Sequence, residues 1–178
     1  MGCTTSQFTA TSQSKQPLEV KEIDPIKLIA RLNVPILMGT DYKILNYVAS
    51  GGEGRVYSAT YLPDNKLVAL KFFGYEMKQP DLDSILNEIR IMKDLSGIDG
   101  VVQFHGIFMD TVTGIQCSKR YRKPFPVIVM EILSGGELFD RIQIRSEMTE
   151  QILANLFRNV VETMQQIHNR CYIHRLNS

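Results

Sequence analysis

The chain has 178 residues and a mass of 20.3 kDa, which fits one ordinary domain with a tail and excludes two full enzyme domains. Its 44% apolar, 8% aromatic and 22% charged residues match the composition of soluble globular proteins. Twenty basic and nineteen acidic side chains give a net charge of +1, which argues against a dedicated nucleic-acid binder. Three scattered cysteines without a C-x-x-C pair indicate neither a disulfide framework nor a zinc site.

Two segments precede the first strand. Residues 1–16 are rich in Ser, Thr and Gln, with Lys15 as their only charge, and this composition predicts a flexible tail. Asp24 followed by Pro25 is typical of the start of a helix. A short amphipathic helix is therefore predicted before the domain, and its apolar side chains are Ile26, Ile29 and Leu32.

From Tyr42 the apolar pattern changes to period two, which predicts three consecutive strands, the last of them over 67–73. Small residues at 49–54 separate the first two strands, and the turn residues at 63–65 separate the second from the third. Both junctions therefore predict hairpins.

The second half of the chain alternates helices and strands. Apolar side chains recur at helical spacing over 80–95 and again over about 149–168, which predicts two helices. Buried strands are predicted over 101–108 and 126–132, separated by the polar segment 110–125. The apolar stripe of the second helix is expected to remain exposed.

The glycine cluster formed by Gly51, Gly52 and Gly54 has two possible interpretations. Glycines let the backbone approach a phosphate, but a glycine-bearing hairpin turn is the simpler alternative. A nucleoside-triphosphatase loop would continue as Gly-Lys-Ser/Thr into a helix, and a dinucleotide fold would also place a helix there. Here Gly54 is followed by Arg55 and a period-two strand, so neither of these two motifs fits.

Several motifs stand in the order typical of protein kinases. They are Gly51-Gly52-Glu53-Gly54-Arg55-Val56, Val68-Ala69-Leu70-Lys71, Glu88 within Asn87-Glu88-Ile89-Arg90-Ile91-Met92, the hinge-like run from Val129 to Phe139, and Tyr172-Ile173-His174-Arg175. The chain therefore resembles the eukaryotic protein kinase family over about 41–175. The run 135–142 is similar to calcium/calmodulin-dependent serine/threonine kinases.

The resemblance implies an α+β fold. A kinase-like small lobe would consist of a five-stranded antiparallel sheet and one helix, followed by an incomplete helical large lobe. The implied boundaries are an acylated tail with a short helix over 1–40, the small lobe and hinge over 41–133, and the truncated start of the large lobe over 134–178.

The resemblance also implies roles for single residues. Lys71 would contact the α- and β-phosphates of ATP and pair with Glu88, and Met130 would be the gatekeeper. The alternatives are a solvated strand lysine, a solvated helix glutamate and an ordinary core methionine. The implied ATP-binding residues are Val48, Ala49, Ser50, Gly51, Gly52, Glu53, Gly54, Val56, Ala69, Lys71, Met130, Glu131, Leu133 and Glu137, with adenine bound through backbone groups of Glu131 and Leu133.

The sequence departs from the kinase pattern at three positions. Ala49 replaces the first glycine of the loop, Glu53 stands at its tip, and Leu176 follows Arg175 where the family has its catalytic aspartate. The family's magnesium ligands, the catalytic-loop asparagine and the Asp-Phe-Gly motif, do not occur, so no metal site is predicted. Two functions stay open: an ATP-dependent serine/threonine kinase acting on a protein substrate, or a truncated, inactive kinase-like module that binds nucleotide weakly or holds a protein partner. A fragment produced by splicing or by an incorrect gene boundary is a third alternative.

The N-terminus matches the pattern for N-myristoylation at Gly2, and palmitoylation of Cys3 would supply a second anchor. An unmodified start is the alternative. With both acyl groups the protein would lie at the cytoplasmic face of a membrane, and otherwise in the cytoplasm. The polar segment carries basic side chains that would add attraction to an anionic leaflet if they faced it: Lys119, Arg120, Arg122 and Lys123.

Overall fold

The computed structural model describes residues 29–51, 54–73, 82–110, 125–143 and 148–173. Within them lie five strands, three helices and a short 3₁₀ helix at Gly39–Asp41. The strands are β1 (Tyr42–Gly51), β2 (Gly54–Tyr61), β3 (Lys66–Phe73), β4 (Phe104–Asp110) and β5 (Phe125–Glu131). The helices are α1 (Leu82–Leu95), α2 (Leu138–Gln143) and α3 (Glu150–Asn169).

The five strands form one antiparallel sheet in the order β1-β2-β3-β5-β4. The pair Gly51↔Gly54 closes the first hairpin and the pair Tyr61↔Lys66 closes the second, so both predicted hairpins are present. The predicted α+β small lobe, a five-stranded antiparallel sheet with one helix, is confirmed. Because β5 lies between β3 and β4, the predicted hinge that follows β5 leaves from an interior strand of the sheet.

Each face of the sheet carries its own apolar cluster. On one face α1 buries Ile85 and Ile89 against Phe73, Phe104 and Ile128. Side chains on a strand alternate between faces, so the neighbouring positions of the same strands build the second cluster. That cluster consists of Ala59, Val68, Leu70, Phe72, Phe108, Val127 and Val129.

The helix α3 begins after Thr149, whose hydroxyl accepts a hydrogen bond from the backbone N–H of Ile152 at 3.3 Å. It contacts the rest of the molecule through Thr163, whose hydroxyl donates to the carbonyl of Asp99 at 3.1 Å. No residue of α3 is buried, and Phe157 is 61% exposed, as the exposed apolar stripe predicted from the sequence requires. No described helix is both long and apolar enough to cross a membrane.

The structure corrects two local predictions. Strand β4 begins at Phe104 rather than at 101, because the Gln103 side chain donates to the carbonyls of Ile98 and Val101 and accepts from a backbone N–H, which stabilises a loop there. Helix α2 was not predicted, since six residues are too few to establish a helical period. The predicted tail, most of the predicted N-terminal helix and most of the basic polar segment lie outside the described residues.

Candidate functional site

An ion pair joins the sheet to α1 on the face of the sheet against which α1 packs. The Nζ atom of Lys71 on β3 lies 2.5 Å from Oε1 of Glu88 on α1. The two side chains are only 18% and 23% exposed, so salt screens their attraction less than it screens a surface pair. The structure therefore brings together the two charged residues that the sequence assigned to one site.

The strand register places apolar residues around Lys71. Residues directly opposite each other in an antiparallel pair point to the same face, and so do residues two apart on one strand. Val56 is opposite Lys71, and Met130 is opposite Ala69. Three of the predicted ATP-binding residues, Val56, Ala69 and Met130, therefore share the face of the sheet that carries the Lys71 ammonium group.

Phe73 is a further neighbour of the charged pair that the sequence analysis missed. The Nζ atom of Lys71 lies 5.0 Å from the centroid of the Phe73 ring, within the range of a cation–π contact. Period-two alternation along β3 was the signal that could have found it, because Phe73 is two residues after Lys71. The ammonium group thus contacts both a carboxylate and an aromatic ring.

The glycine hairpin between β1 and β2 is packed tightly against β3. A Cβ atom built on Gly54 would lie 2.2 Å from the carbonyl oxygen of Phe72, so only glycine fits there without a shift of the backbone. Val48 lies at an irregularity in the pairing with β2, ahead of the regular pairs Ala49↔Val56 and Ser50↔Arg55. Gly51 is the last residue of β1, while Gly52 and Glu53 lie outside the described residues.

The predicted hinge follows β5 directly. Glu131 ends the strand, and its backbone N–H donates to the carbonyl of Gln103 at 2.9 Å. This bond engages the Glu131 N–H group, whereas Leu133, the other residue predicted to bind adenine through its backbone, is exposed. Glu137 is exposed just before α2, and its carbonyl accepts from the backbone N–H of Arg141.

The end of α1 is tied to the segment after α3. Arg170 donates to the backbone carbonyl of Asp94, and the Tyr172 hydroxyl donates to the Asp94 carboxylate at 2.6 Å. This hydrogen bond raises the pKa of Tyr172. The catalytic-loop-like residues from 174 onward, including Leu176, and the predicted acylation sites Gly2 and Cys3 lie outside the described residues.

Comparison with known proteins identifies a family. The protein kinase domain matches residues 42–175. The chain is 32% identical over 137 residues to "Calcium-dependent protein kinase 24" of Oryza sativa subsp. japonica, covering 77% of this chain and 22% of that protein. It is 29% identical over 135 residues to "Calcium/calmodulin-dependent protein kinase type 1" of Caenorhabditis briggsae, covering 75% of this chain and 34% of that protein.

A third relative, "Mitogen-activated protein kinase kinase 3" of Arabidopsis thaliana, is 27% identical over 139 residues, which are 76% of this chain and 24% of that protein. The chain thus spans between about a fifth and a third of the length of these relatives. The match over 42–175 includes the sheet, the Lys71–Glu88 pair, the hinge and α3. The chain belongs to the eukaryotic protein kinase family and is similar to its calcium- and calmodulin-dependent members.

Proposed function

We propose that this chain forms the ATP-binding part of a protein kinase that phosphorylates serine or threonine. The observation that carries the proposal is the 2.5 Å ion pair between Lys71 and Glu88, which joins β3 to α1. Phosphoryl transfer needs mainly positioning and charge stabilisation from the protein. A lysine whose ammonium group is oriented by a carboxylate supplies both to the phosphates of a nucleotide.

The surroundings of Lys71 fit a nucleotide. Val56, Ala69 and Met130 present apolar surface on the same sheet face, which suits a purine base. Gly54 packs closely on β3, because a Cβ atom there would lie 2.2 Å from the Phe72 carbonyl oxygen, and this contact holds the start of β2 beside the strand that carries Lys71. Lys71 would hold the α- and β-phosphates, and bound ATP, with the magnesium that the family generally uses, would supply the phosphoryl group.

A second candidate function is a kinase-like module that binds nucleotide or a protein partner without transferring phosphate. One observation favours it, namely that Leu176 follows His174-Arg175 where the family pattern has an aspartate. Leucine carries no group that accepts the proton of a substrate hydroxyl. The two candidates share the nucleotide site and differ in the transfer step.

Nucleotide binding tests the feature that both candidates share. Titration of the chain with a fluorescent ATP analogue should show saturable binding, and Lys71→Met should weaken it at least about tenfold because one charge-assisted contact is lost. Lys66→Met is the matched control, since Lys66 begins the same strand and is exposed. Equal affinity of the wild type and the Lys71 variant would contradict the assigned role of Lys71.

Phosphate transfer separates the two candidates. The protein isolated from its own cells is incubated with radiolabelled ATP, magnesium and a degenerate serine/threonine peptide library. Incorporation that Lys71→Met abolishes and Lys66→Met leaves intact supports the kinase. Nucleotide binding without any incorporation supports the module.

We also propose that acylation at Gly2 and Cys3 anchors the protein to the cytoplasmic face of a membrane. The sequence pattern at the N-terminus supports this, because one myristoyl chain binds only marginally and a second chain makes attachment stable. Metabolic labelling with an alkyne myristate should mark the wild type but not Gly2→Ala, and Cys3→Ser should keep the label while moving from the membrane to the soluble fraction. An unlabelled wild type would contradict the proposal.

A further inference from the structure

A segment ahead of the kinase match lies along the edge of the sheet. Residues 29–38, here called the strap, precede the matched range 42–175. Ile36 forms a parallel bridge with Ile107 on β4, with Leu37 N–H donating to the Ile107 carbonyl at 2.7 Å and Ile107 N–H donating to the Pro35 carbonyl at 3.0 Å. Since β4 is the outermost strand, the strap covers the edge that would otherwise be open.

The strap also enters the apolar layer between the sheet and α1. Ile29 is 2% exposed and Val34 is buried in the cluster that contains Ile85 and Ile89 of α1. Burial of these apolar side chains stabilises their packing against the helix. The strap is therefore part of the layer against which α1 packs.

A polar contact joins the strap directly to α1. The Nζ atom of Lys93, in the last turn of the helix, donates to the backbone carbonyl of Leu32 at 2.8 Å. Leu32 itself packs against the apolar cluster. The strap thus contacts α1 by a hydrogen bond as well as through shared apolar packing.

Strand β4 is shaped to receive the strap. At Gly106 the backbone φ is +149°, a value that favours glycine, and a Cβ atom there would lie 2.7 Å from the Pro35 carbonyl oxygen and 2.9 Å from Leu37 Cδ1. A side chain at this position would push the strap off the sheet. The kinase domain and the segment ahead of it therefore fit each other.

We propose that the strap positions α1 so that Glu88 pairs with Lys71, an inference that rests on the proposed nucleotide site. Glu88 is on the same helix as Ile85, Ile89 and Lys93, which either share the strap's cluster or bond to it. A helix held on this side keeps its carboxylate 2.5 Å from the ammonium group on β3. Ile29 acts as a positioning residue that affects nucleotide binding through Glu88.

Hydrogen exchange tests the hold of the strap on α1 without any nucleotide. In Ile29→Ala, amides of α1 should exchange at least about tenfold faster, while amides of β2 and β3 keep their wild-type rates. Ile29→Val should restore slow exchange, and Ile36→Ala, which truncates a strap side chain that is 60% exposed, should have no effect. Acceleration that is equal in α1 and in the sheet would mean general destabilisation and would overturn the proposal.

A double-mutant cycle with the fluorescent ATP analogue tests the route through Glu88. Ile29→Ala should weaken binding about fivefold or more in the wild-type background and have little further effect in Glu88→Gln. Equal weakening in both backgrounds would contradict the proposal that Ile29 affects nucleotide binding through Glu88. If the wild type binds no nucleotide, the proposed function fails, and the exchange comparison still decides whether the strap holds α1.

Discussion

Gly54 begins β2 where the hairpin touches β3, and its replacement by alanine should loosen the hairpin. The added Cβ would lie 2.2 Å from the Phe72 carbonyl oxygen, whereas ordinary contacts begin at 3.4 Å, so the two must separate by about 1.2 Å. Neither atom belongs to the end of a flexible side chain, so the backbone itself must move. The end pair Gly54↔Phe73 and its neighbour Arg55↔Phe72 would separate first.

The expected loss of stability follows from the backbone hydrogen bonds between β2 and β3 at that end. Losing two backbone hydrogen bonds at about 0.5–1.5 kcal/mol each should lower the free energy of unfolding by about 1–3 kcal/mol. Urea unfolding followed by circular dichroism measures this difference. Binding of the fluorescent ATP analogue should weaken in parallel, because the displaced hairpin no longer lies at its place beside Lys71.

Gly51→Ala is the matched control for Gly54→Ala. A Cβ at Gly51 would meet no atom within 4 Å, so its effect should stay within about 0.5 kcal/mol. If the two variants unfold at the same urea concentration, close packing on β3 is not the reason for glycine at position 54. The same outcome would remove the argument that the hairpin backbone is held in place for phosphate.

Three further predictions concern stability. Ile89→Ala removes a fully buried side chain from the layer under α1 and should cost about 2–5 kcal/mol in urea unfolding; a loss below about 1 kcal/mol would contradict that packing. Burial, and secondarily Lys66, lowers the pKa of His105 below 6.5, so the unfolded state binds more protons and stability should fall as pH drops through about 6.5, then level off below the folded pKa. His105→Gln should lack this pH dependence, and identical pH profiles would refute it. Tyr172→Phe loses an exposed hydrogen bond to Asp94 and should cost at most about 1 kcal/mol in thermal unfolding, a larger loss being incompatible with its exposure.

The local pattern of apolar residues was sufficient to predict most of the strands and helices. Period-two alternation predicted β1, β2 and β3, and turn residues marked the two hairpins between them. Helical spacing predicted α1 and α3, whose ends lie within two residues of the predicted bounds. The start of β4 could not be predicted, since the Gln103 side chain stabilises the preceding loop through bonds that leave no periodic signal.

The candidate site was predicted in part. Lys71 and Glu88 were selected through the order of the motifs and the resemblance they carry. Phe73 was missed although its position two residues after Lys71 placed it on the same face. The tie between Tyr172 and Asp94 joins residues 78 positions apart, and no local pattern could indicate it.

By itself the sequence determined the five strands, helices α1 and α3, the glycine-bearing hairpin and the charged residues available for phosphate chemistry, because these depend on neighbours within a few positions. Only the tertiary structure decided that β5 lies between β3 and β4, which sets Met130 opposite Ala69. It also decided that the strap lies on β4 and under α1. These contacts are non-local, and their stability comes from burying apolar faces together, which no single segment of the chain can do alone.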